Sequence, residues 1–65
     1  MSVSLTEQIK CVERELVMRR RVYKRRVEEG RMDQAMADRE IEAMEAVLET
    51  LKSKDRAENE LPLDP

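Results

Sequence analysis

One residue limits the possible folds of this chain more than any other. Gly30, the only glycine, stands in Val27-Glu28-Glu29-Gly30-Arg31-Met32-Asp33, between two stretches of nearly equal length whose apolar residues recur at helical spacing. A helix that must stop needs a residue able to enter the left-handed region, and glycine does so without a Cβ clash. Gly30 therefore sits where the first helix should end. Three residues on, Asp33 can accept hydrogen bonds from the free N–H groups of a new helix, with its charge at the positive end of that helix's dipole. One helix ends and another begins within about four residues, the connection length of antiparallel neighbours in a bundle. The fold read from this is an all-α antiparallel two-helix hairpin. It has a flexible N-terminus over 1–4, helix 1 over about 5–29, a turn over 30–33, helix 2 over about 34–57 and a disordered tail over 58–65.

The apolar spacing supplies the packing. Ser4-Leu5-Thr6-Glu7 matches a capping box, in which the Ser hydroxyl and the Glu carboxylate satisfy free N–H groups reciprocally. From there Leu5, Ile9, Val12, Leu16, Tyr23 and Val27 recur at steps of three and four, with a charged gap at Arg19. In helix 2 the positions Ala37, Ile41, Met44, Leu48 and Leu51 do so without interruption. Ile9, Val12, Leu16, Tyr23, Ile41, Met44, Leu48 and Leu51 are expected to close the hairpin in a coiled-coil-like seam. Cys11, Met18 and Val22 form a second stripe, roughly 120° around helix 1 at 3.6 residues per turn. Met36, Ala43 and Val47 widen the apolar arc of helix 2 to roughly 160°, more than one antiparallel neighbour covers. The expected consumer of these six residues is a second copy, giving a homodimeric four-helix bundle.

Size points the same way. A chain of 65 residues is one small domain, with Phe and Trp absent and Tyr23 its only aromatic, so its core is marginal. Small folds recover stability from disulfides, metals or association. Cys11 has no partner in its own chain for a disulfide and there is no His, so no zinc cluster is expected, and association remains. Cys11 itself reads as a small buried side chain of the second stripe, the alternative being a redox-sensitive thiol beside Lys10 and Arg14. No run reaches the roughly 18 apolar residues of a membrane span, and Met1-Ser2-Val3-Ser4 lacks the pattern of a signal peptide. The expected setting is the reducing cytoplasm, away from membranes.

Charge is abundant and unevenly spread. The formal net charge is only -2, yet residues 1–30 carry eight basic and five acidic side chains, a net of +3, while residues 31–65 carry five basic and ten acidic, a net of -5. Helix 1 contains Arg19-Arg20-Arg21-Val22-Tyr23-Lys24-Arg25-Arg26. Arg14, Arg21, Lys24 and Arg25 on its outer face are candidates for phosphate contact, since Lys and Arg displace counterions from nucleic acid. The competing reading is a solvated face: basic residues suit a helix C-terminus, and Lys24/Glu28 and Arg25/Glu29 are spaced for i,i+4 pairs. A nucleic-acid-binding domain of this size is usually strongly basic overall, so nucleic acid is the second choice. On helix 2, Asp38, Glu42, Glu45 and Glu49 line the outer face, a pattern compatible with an inhibitor that occupies an enzyme's nucleic-acid groove. Folding back at Gly30 brings Arg19 or Arg20 level with Met44 and Glu45, where an exposed ion pair of about 0.2 to 1 kcal/mol would set register more than stability.

Catalysis has little to work with. There is no nucleophile beside a base, no glycine-rich phosphate loop and no length to enclose a substrate. Neither a catalytic site, a cofactor nor a small-molecule substrate is expected. The tail Leu61-Pro62-Leu63-Asp64-Pro65 excludes regular helix; it is vaguely like peptides that dock on replication sliding clamps, without their glutamine and terminal aromatic.

The pattern Ile9-x-Cys11-Val12-x-Arg14-Glu15, Arg19-Arg20-Arg21-Val22-Tyr23, Val27-x-x-Gly30 and Ala37-Asp38-x-Glu40-Ile41-x-x-Met44-Glu45 resembles small uncharacterised helical proteins of bacterial and phage genomes, over most of residues 8–51. That family carries Pro after the tyrosine and an aromatic two positions further on, where this chain has Lys24 and Arg26. The resemblance implies a helical hairpin and a mobile-element origin, and no particular activity. The architecture is also similar to that of Rop, the small plasmid RNA-binding protein whose hairpins pair into a four-helix bundle, by fold analogy alone. The functional expectation is a non-catalytic protein–protein interaction or regulatory module, acting as a small homo-oligomer on a protein partner that the sequence does not identify.

Overall fold

The computed structural model describes residues 2–59. The chain forms two helices, α1 (Leu5–Glu28) and α2 (Gln34–Asn59), folded back on each other as a helical hairpin. The start of α1 is fixed by Ser4, which sits in extended backbone at φ -66° and ψ 158° and whose hydroxyl accepts from the Glu7 N–H at 3.1 Å. The reciprocal arm expected of Glu7 is replaced by a different contact. Gln8 Nε2 donates to the Val3 carbonyl at 2.8 Å, because that carbonyl lies outside the helix and has a carboxamide, not a carboxylate, within reach.

Gly30 ends α1 as its position demands. Its φ is +74°, and two backbone bonds close the turn around it: Gly30 N–H to the Val27 carbonyl at 3.0 Å and Arg31 N–H to the Arg26 carbonyl at 2.8 Å. This is the Schellman arrangement, which satisfies carbonyls the last helical turn would otherwise leave unpaired. Asp33 then takes the cap position of α2 through its carbonyl, which accepts from Ala37 N–H at 3.0 Å. Its carboxylate makes no bond like that of Ser4; the side-chain contact in this first turn is Gln34 Nε2 to Asp38 Oδ1 at 2.9 Å. At the far end α2 continues to Asn59, two residues beyond the expected end. The Asn59 amide donates to the Asp55 carbonyl at 2.9 Å and to its carboxylate at 3.1 Å, tying down the last turn. The tail motif at 61–65 lies outside the described residues.

The seam is thin. Leu16 and Ala37 are buried, at 3% and 4% exposure, and Ile9, Val12, Tyr23, Val27, Ile41, Met44, Leu48 and Leu51 are partly buried. Two helices shield each other along one line only, so a seam residue away from its middle keeps an open flank. Full burial of a Leu side chain is worth about 1.5 to 3 kcal/mol, while ordering each residue costs about 1 to 2 kcal/mol of backbone entropy. A core this narrow leaves little margin.

Cross-helix ion pairs fix the register. Arg20 bonds Glu45, and Lys52 Nζ lies 3.7 Å from Glu13 Oε2. In both pairs the residue numbers add to 65, so residue n of α1 lies level with residue 65 − n of α2. The Arg20–Glu45 pair is the contact the antiparallel reading of the sequence called for. Arg19, the other candidate, turns along its own helix and bonds Glu15 at 3.1 Å.

Candidate functional site

The seam divides the surface of the hairpin into two edges of opposite chemistry. Both cross-helix ion pairs lie on one edge. So does an open groove of about 540 Å³ at the turn end, where Arg20 and Lys24 of α1 face Asp38, Glu42 and Glu45 of α2. A second groove on the same edge runs past Glu13, Val17 and Leu16 toward Leu48 and Glu49. This edge is a ladder of opposite charges over a partly apolar floor. Val17, 56% exposed, is the one large exposed hydrophobic residue on this edge among the described residues, and it lies outside both apolar stripes.

The other edge carries the second stripe. At 3.6 residues per turn, about 100° each, Cys11, Met18 and Val22 of α1 and Met36, Ala43 and Val47 of α2 all turn away from the ion-paired edge and onto the same side of the hairpin. Met18 is 55% exposed, Met36 58% and Val47 48%. Cys11 and Ala43 are exposed and Val22 is partly buried. The register puts Met18 level with Val47 and Val22 level with Ala43, so the two stripes run along the same side of the hairpin, with Arg19, Glu15 and Arg26 between the α1 stripe and α2. The expectation that Cys11 is a buried side chain does not hold within one hairpin. Its thiol is exposed because the stripe it belongs to faces away from α2.

The proposed phosphate-contacting residues are less unified than the sequence suggested. Arg14, Arg21, Lys24 and Arg25 are all exposed. Arg14, Arg21 and Arg25 share the outer ridge of α1, but Lys24 leans into the groove at the turn end. Neither of the anticipated pairs Lys24/Glu28 and Arg25/Glu29 forms; Glu29 lies 3.5 Å from Arg31 Nη1 instead, since the backward turn at Gly30 swings Arg31 over the helix end. Among the described residues none of the four basic side chains has a carboxylate within ion-pair distance. Arg19 differs: its bond to Glu15, and then the nearby Tyr23 hydroxyl, hold its guanidinium above the ordinary arginine value. It is a fixed charge at the border of the apolar patch.

Asp38, Glu42, Glu45 and Glu49, read as one acidic outer face, are split by the fold. Glu45 is committed to Arg20 and Glu49 lies 3.5 Å from Arg56 Nη2, leaving Asp38 and Glu42 along the groove. The signal for this division is available only once the register is known, because Arg20 and Glu45 are twenty-five residues apart in sequence. Among the described residues no three acidic or thiol side chains converge as metal ligands, and no helix is long and apolar enough to cross a membrane. Compared with family models, with curated proteins and with solved structures, the chain matches none.

Proposed function

We propose that this chain is a non-catalytic protein–protein interaction or regulatory module of the cytoplasm that works as a homodimeric four-helix bundle. A second copy consumes the patch of Cys11, Met18, Val22, Met36, Ala43 and Val47, and the charged edges then meet another protein. The observation that carries this reading is the mismatch between inside and outside. Among the described residues only Leu16 and Ala37 are buried, while Met18, Met36 and Val47 each keep about half their surface in water. A small domain with a marginal core gains most by covering such a patch. A two-helix layer offers the flat side that another two-helix layer fits.

Light scattering behind a sizing column, over a range of protein concentrations, tests it. Two chains per particle is the expected mass. Val47→Asp places a carboxylate in the patch and should leave a weakly helical monomer. A variant that keeps the dimer mass and melting temperature would remove this patch from the interface.

A second reading rests on the unpaired guanidinium groups of Arg14, Arg21 and Arg25, with Lys24 nearby: a small nucleic-acid-binding regulator. A gel-shift titration at low and moderate salt separates the two, because phosphate contacts must weaken steeply as salt rises.

A further inference from the structure

We infer that the second copy docks with α1 of each chain across α2 of the other, so that both turns lie at the same end of the bundle. This rests on the homodimer reading above and adds its geometry. A two-fold partner can cover the apolar patch in two ways. With the symmetry axis parallel to the helices, α1 lies on the partner's α2 and the Gly30 turns come together. With the axis across the helices, α1 lies on the partner's α1, α2 on the partner's α2, and the turns sit at opposite ends. Both place apolar residues against apolar residues and leave every neighbour antiparallel, so hydrophobic burial does not choose between them.

Charge does. α1 carries eight basic and four acidic side chains, a net of +4, and α2 carries four basic and seven acidic, a net of -3. Packed helices lie about 8 to 10 Å apart, close to the Debye length of about 8 Å at physiological ionic strength. Like helices side by side would therefore feel each other's net charge, whereas α1 over α2 alternates the sign around all four helices. The side chains bordering the patch agree. Arg26 and Glu40 flank it, and neither is in an ion pair among the described residues. In the first arrangement Arg26 lies within one residue of the level of the partner's Glu40, and each gains an opposite charge. The second arrangement, with Met18 level with the partner's Val22, brings Arg26 level with the partner's Arg14, a like charge, next to a Glu15 that Arg19 already holds at 3.1 Å, and brings Glu40 level with the partner's Thr50, which has no charge to offer. A functional consequence follows. The ridges of Arg14, Arg21 and Arg25 from the two chains point to opposite sides of the bundle instead of merging into one broad basic face.

The test uses the unmodified chain. Isotope-labelled and unlabelled protein are mixed so that half the dimers are hybrid, their mass is checked by light scattering, and isotope-filtered NOE spectra record contacts between chains only. The expected result is a dimer with contacts from the Met18 methyl to the partner's Val47 and from Val22 to the partner's Ala43. A dimer that lacks these and shows Met18 against the partner's Val22 overturns the arrangement and leaves the homodimer standing. A monomer at the concentrations used for the spectra overturns both.

Discussion

The two edges of the hairpin share one seam and differ in almost everything else. On the first, Arg20 meets Glu45 and Lys52 approaches Glu13, at the levels that fix how α1 lies along α2. On the second, Met18 is level with Val47 and Val22 with Ala43, and Met18 and Val47 each keep about half their surface exposed. The charged edge is nearly self-sufficient but contributes little energy, since exposed ion pairs are worth about 0 to 1 kcal/mol each. The apolar edge holds much of the burial still to be gained and has no means of obtaining it alone. Register and stability are thus assigned to opposite sides of the same molecule, and substitutions can separate them.

The largest effect is expected on the apolar edge. Val47 is already about half covered in one hairpin, so Val47→Asp removes about 1 kcal/mol of docking burial from each copy, twice per dimer, and the dissociation constant should rise by more than about tenfold in a sedimentation series. Gly30→Ala touches neither edge. An L side chain at φ +74° costs about 1 to 2 kcal/mol, which should lower the melting temperature while the mass at saturating concentration stays unchanged. Ser4→Ala, which removes the cap on Glu7 N–H, should cost about 1 kcal/mol, seen as fraying of the first turn by amide exchange. Smallest of all, Arg20→Ala should cost at most about 1 kcal/mol, since both partners are about half exposed, and 1 M salt should erase even that difference. If Arg20→Ala instead disrupts the molecule more than Val47→Asp does, the contrast between the edges is inverted and the ion pairs are the structural element.

Much of the hairpin could be read from the sequence because its signals are local. Gly30, Ser4 and the three-and-four spacing from Leu5 to Leu51 each act within a turn or two of helix, and the structure uses each of them. The Arg20–Glu45 pair was accessible too, since folding back at Gly30 determines which residues come level. What lay beyond the sequence depended on choices among neighbours. Arg19 could pair along or across and took Glu15; Arg25 and Glu29 had the spacing to pair, but the turn carried Arg31 to Glu29 first. Cys11 is exposed in a single hairpin because burial of its stripe requires a partner, and Val17 gives no periodic signal because its neighbours three and four residues away, Glu13, Arg14, Arg20 and Arg21, are all charged. The patch was legible as a stripe on each helix. That the two stripes fall on one side required the register.

The turn has one further property, and it concerns handedness. A Cβ added to Gly30 would meet no atom within 4 Å, so an L side chain is opposed there by backbone conformation alone and by no neighbour. The mirror-image residue does not meet that conformational obstacle. At φ +74°, D-alanine occupies the backbone region that L-alanine favours at the opposite sign, and it restricts the unfolded chain as glycine does not. At this single position a chemically synthesised chain would be destabilised by one enantiomer of alanine and stabilised by the other, with identical atoms in both. The connection between the helices is thereby a chiral selector, set by backbone conformation.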